Sequence, residues 1–145
     1  MRVVIQRAKN AKVEIEGKIN GSIENGLVIL VGFTYGDTIQ DIDYIVNKIV
    51  NLRIFDDENG VMNKSILDVG GTVLSVSQFT LYADTKKGRR PSYVNALNGE
   101  EAIKMYDNFN KKLNEFVHTE TGIFGSEMKV TLTNDGPITI IMESR

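Results

Sequence analysis

The residues best suited to chemistry sit close together near the middle of the chain. Residues 77–80, Ser-Gln-Phe-Thr, place two hydroxyls and an amide inside the otherwise apolar run 75–82. A buried polar side chain left unpaired costs about 1–3 kcal/mol, so these groups either bond neighbouring strands or line a pocket. Strand alternation puts Gln78 and Thr80 on one face and Ser77 and Phe79 on the other. Both sets reach one ligand only where the strand ends at a cleft. Lys86, Lys87, Arg89 and Arg90 follow directly, bracketed by Asp84 and Pro91 and loosened by Gly88. They form either a solvated surface loop or a grip for phosphate, whose oxygens suit Arg forks and Lys point charges. Gly136-Pro137 is the third feature. An X-Pro bond is cis in only ~5–6% of folded cases, so a trans turn is the default. A cis bond would turn two backbone carbonyls into a rigid acceptor pair that needs no side chain.

The remaining inventory excludes a great deal. With Cys 0 and His 1, thiol catalysis, cysteine-held metals and multi-histidine sites are impossible. His118 follows a helical stretch, where a cation is favourable, and no serine motif accompanies it as a catalytic base. There is no Gly-rich phosphate loop, nucleophile elbow or His-Glu-x-x-His pattern. The chemistry therefore falls to hydroxyls, carboxylates, amines, backbone groups or the substrate itself, and no metal or cofactor is expected. Lys+Arg 17 against Asp+Glu 19 gives a net charge of −2. That is not the basic balance of a general nucleic-acid binder, though it leaves room for one local patch. DNA and membranes are not expected partners. The longest apolar run, residues 27–33, falls far short of the ~20 residues of a membrane span, and residues 1–10 lack a signal-peptide core. The reading is a soluble, cytoplasmic protein.

The elements that must position these groups can be read from periodicity. At 145 residues the chain is the size of one domain, 1–145. Residues 2–9 and 11–16 read as two strands, 17–21 as a turn, and 27–33 as a strand buried on both faces. Thr38 caps a helix, with Asp41 three residues later, and Ile42, Ile45, Val46 and Ile49 follow helical spacing. An acidic cluster, 56–60, ends in Asn-Gly and is better explained as a hairpin turn than as a cation site. Residues 72–82 form the strongest strand candidate. Asn98 caps a second helix, with Glu101 in position for a capping box and Ile103, Tyr106, Phe109, Leu113 and Phe116 as its apolar stripe. Two more strands, 127–133 and 138–143, flank a turn at 134–137. The fold class is α/β: a single domain with a strand-rich, curved mixed sheet or barrel-like sheet and two main helices. Strict βαβ alternation is absent, which argues against a doubly wound sheet.

Six segments in register resemble the D-aminoacyl-tRNA deacylase family, also called D-tyrosyl-tRNA deacylases. They are Met-Arg-Val-Val-Ile-Gln-Arg at 1–7, Asn-Leu-Arg-Ile-Phe at 51–55, Ser-Gln-Phe-Thr-Leu-Tyr-Ala-Asp at 77–84, Lys-Gly-Arg-Arg-Pro at 87–91, Thr-Gly-Ile-Phe-Gly at 121–125 and Asn-Asp-Gly-Pro-Ile-Thr at 134–139. The resemblance runs over essentially the whole chain. It implies a homodimeric enzyme that hydrolyses the ester joining a D-amino acid, or glycine, to the terminal adenosine of tRNA. It further implies a cis Gly136–Pro137 bond inserted into the partner subunit's site. There the two carbonyls accept the substrate ammonium and Arg7 orients the motif. Ser77, Gln78, Phe79 and Thr80 become the pocket floor, with Phe124 against the adenine. Backbone N–H groups near Phe79 and Thr80 polarise the ester, and the tRNA 2′-hydroxyl assists water.

Residue chemistry bears on this at one point. A chain with one histidine and no cysteine lacks the ordinary base for activating a hydroxyl, so Thr80 is poorly equipped as a nucleophile. Backbone donors aimed at an oxyanion are each worth about 2.7–4 kcal/mol. Three other readings stay open. One is a non-catalytic RNA-end or nucleotide-binding module using Lys86, Lys87, Arg89, Arg90 and Phe124. Another is a Thr80-dependent esterase. The last is a deacylase for a mischarged L-amino acid, which would carry a trans Gly136–Pro137 bond.

Overall fold

A computed structural model describes residues 1–145. Strands β1 (Arg2–Ile15) and β2 (Lys18–Gly32) form one long antiparallel hairpin. Its turn is only Glu16-Gly17, with φ of 51° and 75°. Positive φ at both positions matches a two-residue connection to the twist of the strands. The turn is thus shorter than the 17–21 span expected from sequence.

β1 is one strand, not the two read from its alternation. Asn10, at φ 50°, interrupts the register with β7 between Lys9 and Lys12. Such a bulge shifts the period by one residue and exchanges the faces. Val3 and Ile5 accordingly join the larger core cluster, while Ala8, Ala11 and Val13 join the smaller one.

The five-stranded sheet has the order β6-β5-β2-β1-β7. β5 (Thr72–Ser77) runs parallel to β2, and β6 (Thr119–Thr121) parallel to β5. β7 (Lys129–Glu143) pairs antiparallel with β1. The sheet is mixed and open, with β6 and β7 as its edges, so it is not a closed barrel. Helices α1 (Ile39–Asn51) and α3 (Gly99–Asn114) contribute Ile42, Ile45, Ile49, Phe109 and Leu113 to the larger core, against Ile5, Leu27 and Ile29 of the sheet. No helical residue belongs to the smaller cluster on the other face.

Both helices start where local chemistry requires. The Asp41 carboxylate accepts the Thr38 N–H at 2.7 Å, closing a capping box, and Asn98 accepts the Glu101 N–H at 3.3 Å. The stripe of α3 is narrower than expected. Tyr106, Phe109 and Leu113 are buried with Ala102, whereas Ile103 and Phe116 are 41% and 54% exposed. The acidic segment turns a small hairpin between β3 (Phe55–Asp56) and β4 (Met62–Lys64). Asp57 accepts the N–H groups of Asn59 and Val61 there, which explains its carboxylate without a cation. One helical turn, α2 (Ile66–Val69), leads into β5.

Two departures matter for the site. The strand expected over 72–82 stops at Ser77. Gln78 breaks it (φ −146°, ψ 84°), and Phe79–Tyr82 wind into a 3-10 turn. The two C-terminal strands expected around 134–137 are one strand. Gln6 faces Thr139 and Ala8 faces Asn134, so residues 135–138 bulge out opposite Arg7 alone.

Candidate active site

The break after Ser77 ends β5 at a cleft. A cavity of about 270 Å³ lies between Ser77, Gln78 and Phe79 on one wall and Phe124, Gly125 and Ser126 on the other, over Met128 and Val130. Strand alternation no longer separates the polar groups once the chain coils. Gln78 turns its Nε2 to donate to the Thr80 hydroxyl at 2.5 Å. Thr80 itself is exposed and does not line the cavity. Its bonded neighbour is an amide, which takes no proton from it. The N–H groups that open a helical turn have no acceptor within that turn, and Phe79 and Thr80 occupy that end of the 3-10 turn.

The two walls are tied together from behind by a residue that sequence reasoning assigned only to the core. Tyr106 is buried, and its hydroxyl donates to the Ser75 carbonyl at 2.8 Å. The same carbonyl accepts the Gly122 N–H at 3.1 Å, and the Tyr106 ring lies 6.1 Å from that of Phe124. One oxygen thus joins α3, β5 and the segment carrying Phe124. Burial pushes the Tyr106 phenol pKa up, outweighing the polar groups around it, so it remains a donor. Ser126, Met128 and Val130 were also missed as lining residues; only the position of Ser126 beside the 121–125 motif signalled any of them.

Arg7 and the bulge form a second assembly. The Arg7 guanidinium donates through Nε to the Asp135 carbonyl at 3.1 Å and through Nη1 to the Ile54 carbonyl at 2.8 Å. The Asp135 and Asp56 carboxylates stand 3.3 and 3.5 Å away. Arg7 is only 9% exposed, and a buried charge persists only where it is paired in this way. Within the bulge, the Asn134 amide oxygen accepts the Ile138 N–H at 3.0 Å. Gly136 takes φ 134°, where a Cβ would meet Ile138 at 2.8 Å. The Gly136–Pro137 bond is cis. Both residues are exposed, and neither lines the chain's own cleft.

Lys86, Lys87, Arg89 and Arg90 are exposed on a loop closed by paired backbone bonds between Asp84 and Ser92. The structure sets this loop just beyond the 3-10 turn. His118 lies outside the cleft, exposed, with its Nε2 2.9 Å from Glu120 Oε2.

An open mixed sheet, two helices on one face and a cleft lined by hydroxyl, amide and backbone groups define the class, an α/β protein with its ligand-sized site where β5 ends. A solved structure titled "c-Myc DNA Unwinding Element Binding Protein" superposes with a TM-score of 0.95 at 37% identity, covering 100% of this chain and 99% of that one. A second, described as a probable eukaryotic D-amino acid tRNA deacylase, shares the fold with a TM-score of 0.84 at 15% identity. The family described as D-Tyr-tRNA(Tyr) deacylase matches residues 4–143. A D-aminoacyl-tRNA deacylase of Clostridium tetani is 55% identical over 100% of this chain and 98% of its own length. Those of Bacillus cytotoxicus and Thermus aquaticus are 57% and 55% identical, covering 100% and 95% of those proteins. The chain belongs to the D-Tyr-tRNA(Tyr) deacylase family and is a hydrolase of that family. No helix is long and apolar enough to cross a membrane.

Proposed function

We propose that the chain hydrolyses the ester bond of D-aminoacyl-tRNA, and of glycyl esters mischarged on the alanine tRNA, as a cytoplasmic homodimer. Residues 1–145 act as one domain. The observation that carries this reading is the Gly136-Pro137 bulge, exposed, braced by Arg7 and outside its own cleft. That placement leaves the bulge free to enter the cleft of a second copy. There the Gly136 and Pro137 carbonyls of the partner subunit accept the substrate ammonium, over a floor of Ser77, Gln78 and Phe79, with Thr80 beside the floor rather than in it. Phe124 meets the adenine, and Lys86, Lys87, Arg89 and Arg90 take phosphates of the RNA.

Water attacks the ester carbonyl carbon with help from the substrate's 2′-hydroxyl. The N–H groups of Phe79 and Thr80 receive the developing oxyanion, each such donor being worth about 2.7–4 kcal/mol. The released products are the free amino acid and tRNA. No side chain is asked to form a covalent bond, which suits a Thr80 hydroxyl whose neighbour is an amide.

Handedness follows from sterics. A wall of main chain that receives the ammonium and the Cα hydrogen leaves a D side chain pointing outward, while an L side chain strikes it. The clash does not depend on side-chain identity, so D-amino acids of different size are hydrolysed alike. The test is release of tyrosine from D- and L-tyrosyl-tRNA by the purified protein. Rapid release of the D form alone is expected, and comparable rates for both would reject the reading.

A further inference from the structure

Tyr93 is where the cleft meets the cationic loop. The loop is closed by two backbone bonds, Asp84 N–H to Ser92 O at 2.8 Å and Ser92 N–H to Asp84 O at 2.9 Å. Tyr93 is the next residue, so its position is fixed by the closure. Its ring stands edge-on to Phe79, with centroids 5.0 Å apart and planes at 71°, and Phe79 is part of the cleft wall. Both rings face solvent: Phe79 is 52% exposed, Tyr93 41%, and Val94 beside them 75%. Next to this apolar ledge, Lys86, Lys87, Arg89 and Arg90 take part in none of the molecule's ion pairs.

We propose that Phe79 and Tyr93 form a stacking platform for the base immediately 5′ of the substrate's terminal adenosine, with the adjoining phosphates on the cationic loop. The inference rests on placing the reacting ester in the cleft and extends that site outward along the RNA. Unpaired cations alone would suit any polyanion, and exposed rings alone any apolar partner. Side by side at a cleft mouth, they suit a single strand, which offers base faces and phosphates together. A duplex keeps its base faces covered. A second copy seated on this patch across a two-fold axis would set two cationic loops against each other. An unpaired RNA end is therefore the occupant that satisfies both halves of the surface.

The experiment compares two D-tyrosyl esters, one of adenosine and one of the trinucleotide cytidyl-cytidyl-adenosine, with the wild type, Tyr93→Ala and Tyr93→Phe. Loss of one base–aromatic stack is expected to lower the ratio of kcat/KM, trinucleotide over adenosine, by about tenfold in Tyr93→Ala. Tyr93→Phe, which keeps the ring, should restore the ratio. Circular dichroism of each variant reports folding. An unchanged ratio in Tyr93→Ala overturns the proposal. So does an equal loss on both esters, which would make Tyr93 only a support for Phe79. A wild type that hydrolyses D-tyrosyl-tRNA but is indifferent to cleft-filling Ser77→Arg would instead remove the placement of the ester in the cleft, and this inference with it.

Discussion

Arg7 holds two distant stretches of chain with one planar group. Its Nε reaches Asp135 of the bulge and its Nη1 reaches Ile54 before the small hairpin. A lysine has a single nitrogen at its tip and cannot serve both directions. Arg7→Lys therefore leaves a buried carbonyl without its donor, a loss of about 1–3 kcal/mol, and lets the bulge shift. A lower urea midpoint and a fall of about tenfold in kcat/KM on D-tyrosyl-tRNA are expected, on the ordinary equivalence of ~1.4 kcal/mol to tenfold. Activity at the wild-type level would show that the bulge needs no such brace. Thr80 is the opposite case, a conspicuous hydroxyl with little asked of it. Its proton has no basic acceptor, and Gln78 donates to it. Thr80→Ala should retain turnover within about tenfold of the wild type, as expected for loss of a neutral hydrogen bond. A drop of a thousandfold or more would point to a nucleophile.

At the scale of elements, the start of α1 makes a pH-dependent contribution. Burial disfavours the charged form of Asp41. The Ser144 hydroxyl, the Thr38 N–H and hydroxyl, and the Arg145 guanidinium outweigh it and lower the pKa from 3.8 to about 2. The group binds its proton more weakly folded than unfolded, so its stabilisation is complete above about pH 4 and is lost as the pH falls toward about 2. Asp41→Asn should cost about 1 kcal/mol at neutral pH, a typical value for a cap. It should also flatten the decline in urea stability between about pH 4 and pH 2; an unchanged acid limb would contradict that assignment. This cap was legible in the sequence because Thr38 and Asp41 lie three residues apart, as were the Asn98 cap, although the Glu101 side chain closes no capping box there, and the turn built on Asp57. The parts that were not legible depend on distant partners. Alternation through 72–82 gives no sign of the 3-10 turn that brings Gln78 to Thr80, and the helical stripe marks Tyr106 as core without revealing its bond to Ser75. The bulges at Asn10 and 135–138 each exchange the faces of a continuous strand, so a period-2 reading breaks one strand into two. Arg7 was placed on the bulge by resemblance rather than periodicity, since its partner lies 128 positions away.

For the whole molecule, the decisive fact is that the bulge and the cleft do not close on each other within one chain. The smaller apolar cluster has no helix over it, and Ile141, on the same edge strand as the bulge, is 66% exposed. A second copy packed there would cover apolar surface and carry each bulge toward the other's cleft, a two-fold arrangement in which every contact is made twice. Complementation separates this from action within one chain. Ser77→Arg fills the cleft and leaves the bulge intact. Gly136→Val forces a side chain onto Ile138 at a positive φ and leaves the cleft intact. Each variant alone should be inactive. On the two-fold arrangement, the variants unfolded together and refolded at equal concentration are expected to give about half mixed dimers. Each mixed dimer has one site built from the sound cleft of one chain and the sound bulge of the other, giving about a quarter of wild-type activity on D-tyrosyl-tRNA. A mixture as inactive as its components, with mixed dimers confirmed by a tag on one variant, would place the bulge in its own chain's site. Chirality would then have to be read by groups within a single subunit.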